Sequence, residues 1–342
     1  YKRQIIMWGR TDLIDESDEM VKHRSESQKE TLDKSKGIKF EESRNGAVLV
    51  TSIEVDAEGE KQIGKKQGKY ITLTDLTLSP DDEKSFENIA RTFIDHLRDM
   101  HKEITLTDQS KILIIGLGNA TITPDAIGPK AIEYLQNSSL TNNERIKVVM
   151  YAPGVTGQTG FETSDFVSAI SEAFQPDLII VMDALAARNS ERLCKTIQIT
   201  NTGIHPGSGV GNQRKEISKE VYNVPVTAIG IPMVVDGPVL YADAVEQVIH
   251  HVAARVEEKG KPSSALAVTP MVSNKTNIDK KVLEPIFGEW VGWSTDEKRK
   301  LFEEVFVGKN PSLFVTPKET DLWVEQYAYM LSTGIETWLV SK

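Results

Sequence analysis

Short apolar runs that alternate with helix-like segments constrain the fold of this chain more than any other feature. Lys111–Ile115 and Asp177–Met182 are apolar almost throughout, as expected for strands buried on both faces of a parallel sheet. Further strands are predicted at Ala47–Ile53, Tyr70–Leu73, Ile146–Met150 and Val224–Ile231, with amphipathic helices among them. The alternation predicts an α/β fold with a mostly parallel central sheet and helices on both faces.

The predicted domain organisation is one large α/β domain, residues 13–342. Residues 10–45 are rich in Asp, Glu, Lys and Ser, which predicts a mobile or loosely packed N-terminal arm. Within the domain, residues 260–294 are interpreted as a surface excursion, because their first part, up to Asp279, is rich in Gly, Pro, Ser and Asn. Residues 295–342 carry two more helical patterns. They are predicted to form a C-terminal helical extension.

Composition excludes several classes of protein. The chain has 342 residues, 39% of them hydrophobic, which is enough for a sizeable core. No apolar run is long enough to cross a membrane, and the early charges of the N-terminus are unlike a secretory signal. With a single cysteine, the chain is expected to be cytoplasmic and without disulfides. The net charge of −10 argues against direct binding of nucleic acid.

Two predicted strand ends contain an unusual density of Gly, Asn and Asp. They are residues 116–125 and 182–188, and in open parallel sheets ligands bind beyond the carboxyl ends of the strands. Asp125 follows Pro124 just before a helix, so it is either an ordinary first-turn acid or a site residue. Asp183 ends an apolar run, where a carboxylate must be paired or hydrogen-bonded. The alternative for Asp183 is a structural pair with Arg188 or with a backbone amide.

The chemistry that these two aspartates predict is hydrolysis by an activated water. Two carboxylates at neighbouring strand ends disfavour each other's charge and therefore share one proton. One can then act as general base on water while the other, as general acid, protonates the leaving amine. Asp125 and Asp183 are therefore the predicted catalytic residues of a peptide-bond hydrolase.

Two alternatives use the same region of the chain. His205 could join Asp125 and Asp183 as a third ligand, which would make the protein a metallopeptidase with a divalent ion. A protein without catalytic activity could instead hold an anion or a peptide through the backbone amides of its Gly-rich loops.

Supporting roles in substrate binding are assigned to four polar residues. The Gly-rich stretch 205–215 lacks the Gly-Lys-Ser or Gly-Lys-Thr of a phosphate-binding loop. It is either a turn-rich loop or a loop that grips a peptide backbone. The supporting candidates are Asn119, Arg188, His205 and Arg214. Cys194 has no histidine partner nearby in sequence and is predicted to be structural.

Several long motifs follow one another along nearly the whole chain. They are Gly116–Asn119 with Thr123–Ala131, Pro153–Val155, Gly160–Asp165, Asp183–Arg188, Gly203–Asn212 and Val315–Glu319. In this order they resemble the signatures of the germination protease family, which is related in fold to the hydrogenase-maturation peptidases.

The resemblance implies a homotetrameric endopeptidase that is made as a zymogen in the cytoplasm of the developing spore, the spore core. Its substrates would be small acid-soluble spore proteins, degraded during germination. The family's two catalytic aspartates match Asp125 and Asp183, and its members are thought to need no metal or other cofactor.

The resemblance also gives the N-terminal residues an expected role. The stretch Arg10–Leu13 looks like a self-cleavage site, with the bond between Asp12 and Leu13 cut and residues 1–12 acting as a propeptide-like arm. The family usually has a small residue next, whereas this chain has Ile14, a departure that bears on the efficiency of self-processing. The alternative is a charged tail without function.

Overall fold

A computed structural model of the chain describes residues 37–104, 106–155, 160, 162–206, 215–257, 280–306 and 313–341. The strands are β1 (Ile38–Asn45), β2 (Val48–Val55), β3 (Gly68–Thr74), β4 (Lys111–Gly116), β5 (Lys147–Tyr151), β6 (Leu178–Ala187), β7 (Thr196–Thr200), β8 (Val226–Asp236) and β9 (Phe314–Val315). The helices are α1 (Ala57–Ile63), α2 (Glu83–Met100), α3 (Ile127–Gln136), α4 (Thr163–Phe174), α5 (Lys219–Tyr222), α6 (Gly237–Glu257), α7 (Lys280–Phe287), α8 (Thr295–Phe306) and α9 (Thr320–Val340). Short 3₁₀ turns lie at Thr123–Asp125, Ser139–Asn142, Ser190–Arg192 and Gly288–Gly292.

All nine strands belong to one mixed sheet. Its order is β1-β2-β3-β7-β8-β6-β4-β5, with β9 paired to β8 outside this path. β4 pairs in parallel with both β5 and β6. The pairs β1–β2, β2–β3, β3–β7 and β7–β8 are antiparallel. The predicted α/β class is confirmed, with a sheet that is mixed and only partly parallel.

The central strands are buried on both faces, as their sequences predict. On β4, Ile112 and Ile114 belong to one hydrophobic cluster with residues of α2, α3 and α9. Leu113 and Ile115 belong to a second cluster, which includes Val167 of α4. Because side chains alternate along a strand, each face of the sheet has its own layer of helices.

The first described strand corrects the predicted N-terminal arm. The expectation of loose packing up to residue 45 is wrong for β1, which pairs along its whole length with β2. A two-residue turn joins the two strands, and Gly46 has a φ of 62° in it, as a tight hairpin turn of this kind needs at its first position. The charged residues of the predicted arm that fall within β1 lie on an exposed edge strand, where such residues discourage pairing with other chains. Residues 10–36 of the predicted arm lie outside the described residues.

The chain forms two compact units. Among the described residues, the larger unit comprises those up to Ala187, then Glu191–Val234, then those from Thr316 onward. The smaller unit comprises Arg188–Ser190 and the described part of Val235–Val315.

The smaller unit contains α6, α7, α8 and the short strand β9. In it, Val315 pairs with Val235, and a small apolar cluster joins α6, α7 and the 3₁₀ turn after α7. Of the predicted surface excursion, residues 260–279 lie outside the described residues and 280–292 are helical. The single-domain assignment stays a prediction. Among the described residues, no helix combines the length and apolar character needed to cross a bilayer.

Candidate active site

The loop after β4 folds back on itself and holds Asp125 through the backbone. The N–H of Asn119 donates to the backbone carbonyl of Asp125 at 3.1 Å and to its carboxylate Oδ2 at 2.8 Å. Gly118 has a φ of 114°, and a Cβ added there would lie 2.0 Å from the carbonyl oxygen of Asp125. The close approach of the two ends of the loop therefore requires glycine at this position.

The side chain of Asn119 stabilises the same loop. Its Oδ1 accepts hydrogen bonds from the backbone N–H of Thr121 at 2.9 Å and from the Thr121 hydroxyl at 2.8 Å. Asn119 is itself buried, at 8% exposure. The sequence predicted a supporting role for Asn119, and the described contacts of its oxygen are internal to the loop, as in an Asx turn.

Asp183 lies inside strand β6. The prediction that this strand ends at Met182 is wrong, because β6 continues to Ala187. The parallel pairing with β4 reaches Gly116 opposite Met182, and the N–H of Leu117 donates to the Met182 carbonyl at 2.8 Å. Asp183 is thus the residue of β6 next to the point where the chain leaves β4 and enters residues 117–126, the Asp125 loop. Its Oδ1 accepts the N–H of Ala184 at 2.9 Å, and the residue is 8% exposed.

The fold brings together the two segments of the chain that contain Asp125 and Asp183. The 3₁₀ turn Thr123–Asp125 is in contact with β6, the strand that contains Asp183. Asp125 is half-buried and Asp183 buried, so one carboxyl group is accessible while the other is withdrawn from solvent. The two residues lie in one neighbourhood of the larger unit, and their joint action in catalysis stays a prediction.

The other candidate residues are distributed over the molecule. His205 is in the larger unit, with its Nε2 3.6 Å from Glu216 Oε2. Arg188 belongs to the smaller unit, where its carbonyl oxygen accepts a hydrogen bond from Arg299. Arg214 lies outside the described residues, as do Asp12 and Leu13.

The described geometry gives no support to the metal alternative. Within the described part of the chain, no three His, Cys, Asp or Glu side chains are grouped as a metal ion would require. Asp125, Asp183 and His205 are all among the residues searched, so they do not form a preformed site of oxygen and nitrogen ligands.

Cys194 fits its predicted structural role. It is fully buried, and burial raises the pKa of its thiol to about 12. A thiol with so high a pKa is protonated at neutral pH and is a poor nucleophile.

Sequence reasoning missed the contribution of Gly118 to the loop, since it depends on a positive φ that a Gly-Asn pair suggests only in general terms. The same loop exposes an apolar residue that sequence reasoning did not single out, Ile122, which is 51% exposed. An isoleucine between two threonines in a predicted loop was the available signal.

Comparison with known proteins supplies the family. The family model described as germination protease matches residues 14–342. The germination protease of Oceanobacillus iheyensis is 38% identical over 360 residues, covering 100% of this chain and 96% of that protein. The germination protease of Priestia megaterium is 37% identical over 344 residues, covering 95% of this chain and 92% of that protein.

Two solved structures align with part of the chain. The [NiFe] hydrogenase maturation protease HycI from Thermococcus kodakarensis is 20% identical with a TM-score of 0.29, covering 40% of this chain and 80% of that one. The hydrogenase maturating endopeptidase HybD from E. coli is 16% identical with a TM-score of 0.23, covering 44% and 94%. By the match over residues 14–342 and the identity to its relatives, the chain belongs to the germination protease family and is a protease.

Proposed function

We propose that this protease is an endopeptidase in which Asp125 and Asp183 activate the hydrolytic water. The observation that carries the proposal is the contact between the 3₁₀ turn of Asp125 and the strand of Asp183. It is the contact expected if two distant residues of the sequence are to act on one bond. The proposal extends to the substrates, small acid-soluble spore proteins whose degradation the enzyme would begin during germination.

Each aspartate is held by backbone structure, which suits a catalytic pair. The Asn119 N–H fixes one oxygen of the Asp125 carboxylate. Asp183 directly follows Met182, the last residue of the β4–β6 ladder, and its carboxylate accepts the N–H of Ala184. Preorganised groups of this kind lose little entropy when substrate binds. One carboxylate removes a proton from water as it attacks the peptide carbonyl, and the other carboxyl group protonates the departing amine.

A shared proton is the physical condition for this mechanism. When two carboxyl groups are close, ionisation of one disfavours ionisation of the other. The pair therefore carries one proton between its two members over a range of pH. Such a state contains the general base and the general acid at once.

Further parts of the proposal rest on the family and the sequence pattern. Residues 1–12 would be a propeptide that the enzyme removes by cutting after Asp12. The active form would be a homotetramer in the cytoplasm of the spore.

The test is replacement of each aspartate by asparagine, which keeps the size of the side chain and removes its proton chemistry. D125N and D183N should each lower kcat/KM on a peptide with an acid–Leu–Ala sequence by about a thousandfold. Mass spectrometry should show that neither variant loses residues 1–12. D108N is the matched control, because Asp108 is 71% exposed and pairs with Arg145 before the start of β4. Undiminished cleavage by either D125N or D183N would refute the proposed pair.

A further inference from the structure

The Asp125 loop exposes one large apolar side chain. Ile122 is 51% exposed, with exposed threonines on either side. Among the described residues of β4, its loop, α3 and β6, no other large apolar side chain is exposed. Loop positions usually carry polar residues, so an isoleucine here is unusual beside the two candidate catalytic residues.

The backbone of Ile122 is held in a fixed position relative to Asp125. The N–H of Ile122 donates to the Asn119 carbonyl at 3.1 Å, and the Asp125 N–H donates to the Ile122 carbonyl at 2.8 Å. The second bond closes a turn between residues three apart, and such turns keep their end Cα atoms within about 7 Å. The backbone of Ile122 is thus held by hydrogen bonds of the same loop that orients the Asp125 carboxylate.

This distance matches the spacing of a bound peptide. Residues of an extended chain advance by about 3.3 Å each, so a substrate residue next to a scissile bond bound at Asp125 lies within reach of Ile122. An isoleucine has few rotamers to lose on contact. It offers no hydrogen bond, so the group that it can recognise is an apolar side chain.

We propose that Ile122 is a specificity-determining residue that contacts an apolar substrate side chain flanking the scissile bond. The inference rests on the proposed function, since it takes Asp125 as catalytic. Contact with Ile122 makes the protease prefer a large apolar residue over a small one at that position.

The experiment compares peptides that differ at one residue. Each position flanking the scissile bond carries Leu or Ala in turn, and the ratio of kcat/KM for Leu over Ala is measured. I122T, which keeps the branched shape but adds a hydroxyl, should lower this ratio about tenfold at one position. I122V should lower it less. In both variants, kcat/KM should fall more for the Leu peptide than for the Ala peptide.

V221T is the matched control for the substitution itself. Val221 is also β-branched, with 54% exposure, and it lies on α5, before the start of β8 and outside the loop that contains Asp125. The ratio of kcat/KM for the Leu peptide over the Ala peptide should be the same in V221T as in the wild type. An unchanged ratio in I122T, or an equal loss on both peptides, would overturn the assignment of Ile122.

Binding to an inactive chain separates this inference from the proposed function. The D125N chain retains Ile122, so its Kd for the Leu peptide should be lower than for the Ala peptide, and D125N/I122T should lose most of that difference. Equal Kd ratios for the two chains would contradict the role of Ile122. Full activity of D125N would instead contradict the catalytic pair, whereas an inactive D125N with equal Kd ratios would contradict the role of Ile122 alone.

Discussion

The two faces of strands β3 and β7, in the larger unit, differ in chemistry. On β3 and β7, Ile71, Leu73, Ile197 and Ile199 point into the cluster that includes residues of α2 and α9. The residues that alternate with them are Thr72, Thr74, Thr196, Gln198 and Thr200, all buried as well. One face thus contains aliphatic side chains, whereas the other buries hydroxyl and amide groups.

The face of β3 and β7 that carries these polar side chains leads, across β8, toward the candidate active site. Thr72 is paired with Gln198, and Gln198 with Gly230 of β8. A Cβ on Gly230 would lie 2.3 Å from Cδ1 of Leu185, which follows Asp183 by two residues on β6. Buried polar groups cost free energy unless they are hydrogen-bonded. On β3 and β7, the comparison therefore teaches that the stabilising aliphatic side chains lie on one face and that the costly polar ones lie on the face that leads, across β8, to Leu185 and Asp183.

The largest expected effect is loss of an aliphatic side chain from the apolar face. Leu73 is fully buried, so L73A should lower the free energy of unfolding by about 3 kcal/mol, through lost transfer energy and the cavity left behind. Urea unfolding gives the measurement. L76A is the control, since Leu76 is 53% exposed and its truncation should cost less than about 0.5 kcal/mol. Equal losses in the two variants would contradict the assignment of stability to this face.

A smaller change in the free energy of unfolding, of opposite sign, is expected for Thr72, which precedes Leu73 and lies on the face with the polar side chains. Among the described residues, the buried Thr72 Oγ1 has no hydrogen-bond partner. T72V keeps the shape and removes this hydroxyl, so the free energy of unfolding should stay unchanged or rise by up to about 1 kcal/mol.

T200V is the matched control for T72V. Thr200 is equally buried, but its Oγ1 lies 3.0 Å from Thr202 Oγ1 in a hydrogen bond. This variant should lose about 1 kcal/mol. If T72V lost as much, the Thr72 hydroxyl would have a partner after all, and the two faces would differ less than proposed.

The smallest effect is expected away from both faces, where Glu325 of α9 accepts hydrogen bonds from Lys130 and Tyr134 of α3. The hydrogen bond from Lys130, and then that from Tyr134, holds the pKa of Glu325 below its usual 4.5. A lowered pKa in the folded state stabilises the fold above pH 4.5, and this contribution is lost as the pH falls through the lowered value.

E325Q tests this contribution. Because the Glu325 side chain is 45% exposed, the variant should lose only about 0.5 kcal/mol at pH 7. Urea unfolding at pH 7 and at pH 3 gives the comparison, and the difference in the free energy of unfolding between wild type and variant should narrow at the lower pH. A gap that persists in acid would show that the contribution is not ionic.

Sequence patterns predicted the parts of the fold in which burial dominates. Lys111–Ile115 and Asp177–Met182 were recognisable because both faces of each strand meet helices. The strand Thr196–Thr200 was not, since its alternation of Thr, Ile and Gln over five residues gives too short a signal. β1 was missed because charged residues on an edge strand look like those of a loop.

The candidate site was predictable only in part. The rule that ligands lie beyond strand ends led to both aspartates, even though β6 continues past Asp183. The Asn119 N–H donates to both the backbone carbonyl and the carboxylate of Asp125. This arrangement was not predictable, because it depends on the backbone conformation of Gly118 rather than on any side chain. The roles of Asp12, Leu13 and Arg214 concern residues beyond those described.

Because Gly230 on β8 has no side chain, the residue tolerated there depends on the residue at position 185 of β6. Leu185 fills the space that any larger residue at position 230 would need. In related chains, a methyl group gained at position 230 therefore requires Leu185 to move or a shorter residue to replace it, so these two positions should change together during divergence. Exchange of either strand alone between relatives would shift the ladder that carries the buried carboxylate.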